Sequence, residues 1–216
     1  MNCRKLFGFA FVVAVGLAAA VGAIAVADVA KDTSATEQPE MKLPPGWTME
    51  DMQACIMAGT PGEQHEHLAK SVGQWHGATT MWMPDGAEMP ESECKLTVTP
   101  MMDGRYTKVE WKGDMPGMGP YHGFGINGFD NVSQKFVSVW LDNHNTGIMQ
   151  GSGELSDDGK TINWEFTHNC PVTKKPTIFR EVETQTGPTS KTIEMHATDP
   201  KSGKEYKMMF VELTKE

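Results

Sequence analysis

The chain has 216 residues, with 28 acidic against 19 basic side chains and a formal net charge of −9. That balance argues against nucleic acid or anionic lipid as a partner, because neither is drawn to a net acidic surface; in itself it asks for no more than solubility. The length is ample for one domain with a real hydrophobic core.

The N-terminus reads as a targeting segment. Asn2 to Lys5 is short and basic, Leu6 to Val26 is almost wholly apolar, and Ala25-Val26-Ala27 is a small-x-small site followed by polar Asp28. This predicts a secretory signal peptide over 1–27, cleaved after Ala27, and an exported chain in the periplasm or medium of a bacterium. Retention as an anchor is the alternative, since an apolar run of about 20 residues can span a bilayer. No other stretch is long and apolar enough, so no stable membrane insertion is expected after cleavage. Residues 28–46 are polar, contain prolines and lack periodicity, which predicts a disordered linker ahead of a single domain over 47–216.

Two short helices follow. Thr48 with Asp51 forms a cap, Met49, Met52 and Ile56 make one stripe, and Gly59 stops the helix. In the second, roughly 61–72, Thr60 is read as the cap, Pro61 as the first helical residue and Glu63 as the capping-box partner. His65, Leu68, Ala69 and Val72 then make a small apolar face that must dock on something to be stable.

At Gly73-Gln74-Trp75-His76-Gly77 the period changes to two. His76, Ala78, Thr80 and Trp82 share one face, and Trp75, Gly77, Thr79 and Met81 the other. Strand patterns recur at about 74–83, 92–100, 105–112, 121–129, 134–142, 146–155, 161–168, 177–185, 190–198 and 204–213. Turn signals such as Pro84-Asp85-Gly86, Asp103-Gly104, Asp158-Gly159 and Ser202-Gly203 separate them. Short connections imply an antiparallel meander, and about ten strands are too many for an open twisted sheet, so closure is predicted. Residues 136–141 are apolar nearly throughout, as in a strand covered on both sides.

The order of motifs resembles one known group. A helix turn followed by Gly73-x-Trp75 is similar to the entrance of a lipocalin-like (calycin) barrel, in which the helix plugs one end and the Trp packs beneath it. With His65-x-x-Leu68, Gly104-Arg105-Tyr106, Gly123-x-Gly125-x-x-Gly128-Phe129-Asp130, Trp140-x-Asp142, Asp158-Gly159-Lys160, Arg180-Glu181 and Asp199-Pro200-x-x-Gly203-Lys204-Glu205, the chain resembles the lipocalin-like domain of unknown function 1579 family over about 62–215. The resemblance implies an all-β, antiparallel lipocalin-like barrel of about ten strands with a short helical plug, and brings no catalytic residues. Two positions depart from the pattern. Phe129 replaces the usual Tyr, and Thr214-Lys215 stands where Thr-Arg is usual. In such barrels the terminal Arg often stacks on the Gly-x-Trp indole, so Gly73, Trp75 and Lys215 are expected to close the barrel, with Lys215 lacking the planar fork of Arg. Any site is then expected toward the opposite mouth.

Individual motifs carry little chemistry. Gly123-Phe124-Gly125-Ile126-Asn127-Gly128 matches a dinucleotide fingerprint, but no strand–helix unit surrounds it, so a bent strand is expected. Met115 to Pro120 reads either as a mobile lip over a cavity or as a long hairpin connection. The many methionines suit a plastic pocket and equally an ordinary core. His65 and His67 point to different faces, and His168-x-Cys170 alone is no metal site. Cys94 and Cys170 are placed for a disulfide, although three separate thiols, with Cys55, fit as well. Asn131-Val132-Ser133 is a glycosylation sequon that a bacterial protein would leave unused.

The aromatics Trp82, Trp111, Phe124, Trp140 and Trp164, with His122, are the candidate ligand contacts. The reading is non-catalytic binding of a small, largely apolar molecule in a barrel cavity, with no cofactor required. One alternative is a haem- or metal-binding barrel, since related nitrobindin-like barrels hold haem through a His. Another is a hydrolase or isomerase using Asp142 and His144, which share a strand face. A fourth is an envelope interaction module marked by an exposed apolar patch.

Overall fold

A computed structural model describes residues 43–216; the expected signal peptide, Cys3 and residues 28–42 of the expected linker lie outside the described residues. Two helices, α1 (Met49–Ala58) and α2 (Glu63–Ala69), precede ten strands: β1 (Gly73–Met81), β2 (Ser92–Met101), β3 (Tyr106–Met115), β4 (Gly119–Asp130), β5 (Lys135–Asp142), β6 (Met149–Leu155), β7 (Thr161–Asn169), β8 (Pro176–Gly187), β9 (Ser190–Thr198) and β10 (Glu205–Lys215). Each strand pairs antiparallel with its chain neighbour, and β10 returns to β1, so the sheet is a closed ten-stranded barrel. Closure removes every free edge that an open sheet of this width would present. The strands fall where the period-two pattern puts them because Asp-Gly turns punctuate it; Gly104 and Gly159 take up the left-handed φ of +83° and +68° that such turns require.

The helices are held at their ends rather than by large faces. Thr48 and Asp51 form the capping box of α1, with Asp51 Oδ2 accepting from the Thr48 backbone at 2.8 Å. The cap of α2 differs from expectation. Gly62 is the N-cap, and its N–H donates to His65 Nδ1 at 3.0 Å. Thr60 instead donates its hydroxyl to Ile56 O at 2.7 Å, which ties it to the end of α1. That end is fastened to the barrel by Asn131, whose amide donates to Met57 O, Ala58 O and Thr60 O, and by Arg105, which donates to Gly59 O at 3.1 Å. Both side chains come from strand connections and satisfy carbonyls that a helix terminus leaves orphaned.

Helix α2 packs against β3 and β4 and closes one end of the barrel, burying His65 and Leu68. Trp75 beneath it is 1 % exposed and donates its indole N–H to Ser71 O at 2.8 Å. Lys215, its partner across the β1–β10 seam, lays its ammonium 5.4 Å from the Trp75 ring centre and donates to Lys70 O at 3.1 Å. Its stem passes so close to Gly73 that a side chain there would meet it. Gly73, Trp75 and Lys215 thus meet at one point.

Two clusters form the core, one around Trp75, Leu96, Val98, Val211 and Leu213, the other around Leu68, Phe136, Ile162, Trp164 and Phe166. The apolar run of β5 is covered on one side only. Phe136 and Ser138 face inward and are buried, whereas Leu141 on the outer face is 39 % exposed.

Because Trp75 is fully buried and joins helix, seam and barrel floor, Trp75→Ala is expected to destabilise the fold by about 3–5 kcal/mol. A urea titration followed by far-UV circular dichroism measures this; a loss well below that range would show that the plug does not depend on the indole.

Candidate functional site

The barrel encloses a cavity of about 1100 Å³. It runs from α2 at the closed end to the β3–β4, β5–β6 and β7–β8 connections, which contribute Met118, Ile148 and Pro171 to its lining. The cavity stays open because of how the inner wall is built. Large rings lie over glycines of the neighbouring strand instead of crossing the interior. Trp140 of β5 covers Gly123 and Gly125 of β4; Phe166 and Trp164 of β7 cover Gly151 and Gly153 of β6. A Cβ at Gly125 would lie 2.7 Å from the Trp140 ring, and one at Gly153 2.7 Å from the Trp164 ring. The glycine pattern at 123–128 therefore serves close ring packing on a strand, not a phosphate.

At the closed end the floor is charged. Lys191 of β9, 4 % exposed, donates to Glu183 Oε1 of β8 at 2.7 Å, and its ammonium lies 4.9 Å from the Trp75 ring centre. Burial works against the charge of Glu183, but the Lys191 ammonium and its hydrogen bond, with His67 and the Trp164 side chain, hold its carboxyl below the ordinary range. Glu181, one inward position nearer the mouth, lacks such support. Burial first, and the Glu183 charge second, push it up to about 8 against the pull of Lys191, and no hydrogen bond reaches it among the described residues. Its cross-strand neighbours are Trp164 on β7 and Met195 on β9. From α2, His67 also lines the floor, held toward its neutral form by burial and by Lys70, with Glu183 opposing.

The mouth has its own polar group. Trp140 Nε1 donates to the Tyr121 hydroxyl at 3.0 Å, and that hydroxyl donates to Asp142 Oδ2 at 3.4 Å. Burial, then the Asp142 charge, push the Tyr121 phenol well above its usual value, so it stays protonated. Asp142 Oδ1 accepts from the His144 backbone at 2.9 Å and from Asn145 Nδ2 at 3.1 Å. Asp142 and His144 do share the mouth, but the carboxylate shapes the turn, and His144 Nδ1 has no partner. His168 stacks on Phe179 at 4.2 Å and 10°, with Nε2 buried and also unpartnered. Among the described residues no three His, Cys, Asp or Glu side chains converge as a metal site.

Of the residues that the sequence singles out as ligand contacts, Trp111, Trp140 and Trp164 line the cavity. Trp82, His122 and Phe124 do not. Trp82 lies under the Lys207 ammonium, 4.9 Å from its ring centre. His122 and Phe124 occupy the outer face of β4 because Tyr121, Gly123 and Gly125 take the inner one. Cys94 and Cys170 are free thiols, as is Cys55. The reason is topological. Strands β2 and β7, which place them, stand five strands apart in a ring of ten, on opposite walls, too far apart for a disulfide. Glu181 enters the sequence reading only within the Arg180-Glu181 motif, and Glu183 and Lys191 not at all. Their alternation with Val182 and Thr184 looks like that of an ordinary polar face.

The model of a family described as "Protein of unknown function (DUF1579)" matches residues 60–215. The chain belongs to this family. No curated protein matches the sequence. Among solved structures, the fold is similar to that of Rv2717c from M. tuberculosis, at 13 % identity and a TM-score of 0.56 over 73 % of this chain and 99 % of that one. It is also similar to the S-type phycobiliprotein lyase CPES from Guillardia theta, at 10 % identity and a TM-score of 0.51 over 75 % of this chain and 96 % of that one. These likenesses establish the barrel fold.

Two stability measurements test the floor. Between about pH 4.5 and about 8, Glu181 is neutral when folded and ionised when unfolded. Folding then takes up a proton, and stability falls as pH rises through that window. Wild type should lose stability relative to Glu181→Gln by about 1.4 kcal/mol per pH unit across it, and by nothing further above it. Urea midpoints at successive pH values check this. Separately, Lys191→Met should cost about 3–5 kcal/mol by leaving a buried carboxylate unpaired, while Lys191→Met with Glu183→Leu should recover most of that loss.

Proposed function

We propose that this DUF1579 protein is an exported, non-catalytic carrier or sensor that binds one small, largely apolar molecule in the barrel. The observation that carries the reading is the cavity itself, about 1100 Å³, walled by Trp111, Trp140, Trp164 and Phe166 and kept clear by the inner-face glycines. Pockets for small ligands have this character: concave, mostly apolar, with a few placed polar groups. Ligand contact falls to the three inward indoles. Export rests on the basic–apolar–small-residue pattern of 1–27.

Incubation of the protein with a bacterial lipid extract, followed by native mass spectrometry, is expected to show a retained species of defined mass. Tryptophan emission should shift as it binds. Trp140→Ala should weaken retention roughly tenfold by removing one aromatic wall. A barrel that retains nothing, with unchanged emission, would overturn the reading. N-terminal sequencing of the protein recovered outside the cytoplasm should begin at Asp28.

A second reading, haem held through a histidine, draws on His168, whose Nε2 is buried and unpartnered beside the cavity. It requires a Soret band on haem titration that His168→Ala abolishes.

A further inference from the structure

Given the cavity-binding reading, on which this inference rests, the remaining question is which polar group the ligand carries. Most polar side chains of the interior are already committed. Lys191 is bound to Glu183, Asn127 Oδ1 accepts from Ser138, and Tyr121, Trp140 and Asp142 are bound to one another. Glu181 stands apart. It lies on the cavity wall between the floor and the mouth, and no protein donor reaches it. In register beside it are Trp164 and Met195, with Phe179 one inward position nearer the mouth. Cross-strand neighbours of this kind have Cβ atoms about 4.5–5.5 Å away, so they touch whatever meets the carboxyl.

The charge inventory favours one sign of ligand. At the inward strand positions that line the cavity, three carboxyl groups, Asp142, Glu181 and Glu183, stand against one lysine, Lys191. Lys191 is taken by Glu183. A ligand anion would meet no free ammonium near Glu181, whereas a cation would meet an unpaired carboxyl framed by aromatic rings, the surroundings that ammonium groups favour.

We propose that the barrel binds a lipophilic amine, with its ammonium paired to Glu181 against Trp164 and Met195 and its apolar body extending past Trp140 toward the mouth. The charged groups that act on Glu181 are Glu183 on its own strand and Lys191 from β9; from α2, His67 acts on Glu183, and β7 presents Trp164 beside Glu181. With the Glu183–Lys191 pair neutral overall, an added ammonium is balanced when Glu181 gives up its proton. Binding is therefore an exchange in which an ammonium enters and one proton leaves to buffer.

The experiment compares dodecylamine, dodecanol and dodecanoate on the intact protein by tryptophan emission and titration calorimetry. Dodecylamine should bind roughly tenfold or more tightly than dodecanol, and dodecanoate more weakly than either. At neutral pH, heats measured in buffers of different ionisation enthalpy should show about one proton released per amine bound, and none above about pH 9, where Glu181 is already ionised. Glu181→Gln should erase the preference for the amine over dodecanol. The wild-type proton count does not depend on that variant folding. Equal binding of amine and alcohol, tighter binding of dodecanoate, or no proton release would overturn the proposal while leaving cavity binding intact. Binding of none of the three, with no ligand retained from a lipid extract, would overturn both.

Discussion

The closed end of this barrel is organised by one buried indole. Trp75 holds α2 through Ser71, receives Lys215 from the last strand, and lies beneath the Lys191 ammonium. An ammonium as buried as that of Lys191 needs partners on more than one side, and the ring supplies one while Glu183 supplies the other. Because Lys191 is spent on Glu183, Glu181 is left without a cation of its own and is driven to its neutral form. The electrostatics of the interior thus descend, residue by residue, from a packing requirement of the plug.

The walls obey a different constraint. A ten-stranded barrel is wide enough to hold a ligand but also wide enough to be filled by its own side chains. Here three rings are laid along the wall over four glycines, so aromatic surface is gained without loss of volume. Polar groups gather at a floor of paired charges and at a mouth where Tyr121 and Trp140 tie β4 to β5, with Glu181 on the wall between them. A molecule inside would pass from one tier to the other along a largely aromatic wall that carries Glu181.

How much of this could be read from the sequence follows from the physics of each part. The ten strands were legible because alternation and Asp-Gly turns are local signals, and both helices were legible from caps and stripes. The boundary of α2 was not, since its cap is a histidine side chain where Thr60 offered a more familiar one. The inner face of β4 was misread because glycines alternate there with Phe124 and His122; bulk normally turns inward, and only the neighbouring Trp140 reverses that rule. The floor was invisible for the opposite reason. Glu181 and Glu183 alternate with Val182 as a solvent face would, and only the pairing of β8 with β9, which sets Lys191 opposite Gln185 and diagonal to Glu183, brings the ion pair together inside. The charges beneath the plug come from β8 and β9, whose side chains carry no local signal of facing inward.

The seam where β10 rejoins β1 has a kinetic consequence. Every other ladder joins strands adjacent in the chain and can form as a local hairpin, whereas Trp75 and Lys215 must meet across the whole length of the domain. Loop-closure entropy makes that encounter the slow, late event of folding. Until it happens, both β1 and β10 are open edges, so the residues that complete the ring are also those that protect the nascent chain from pairing with its neighbours.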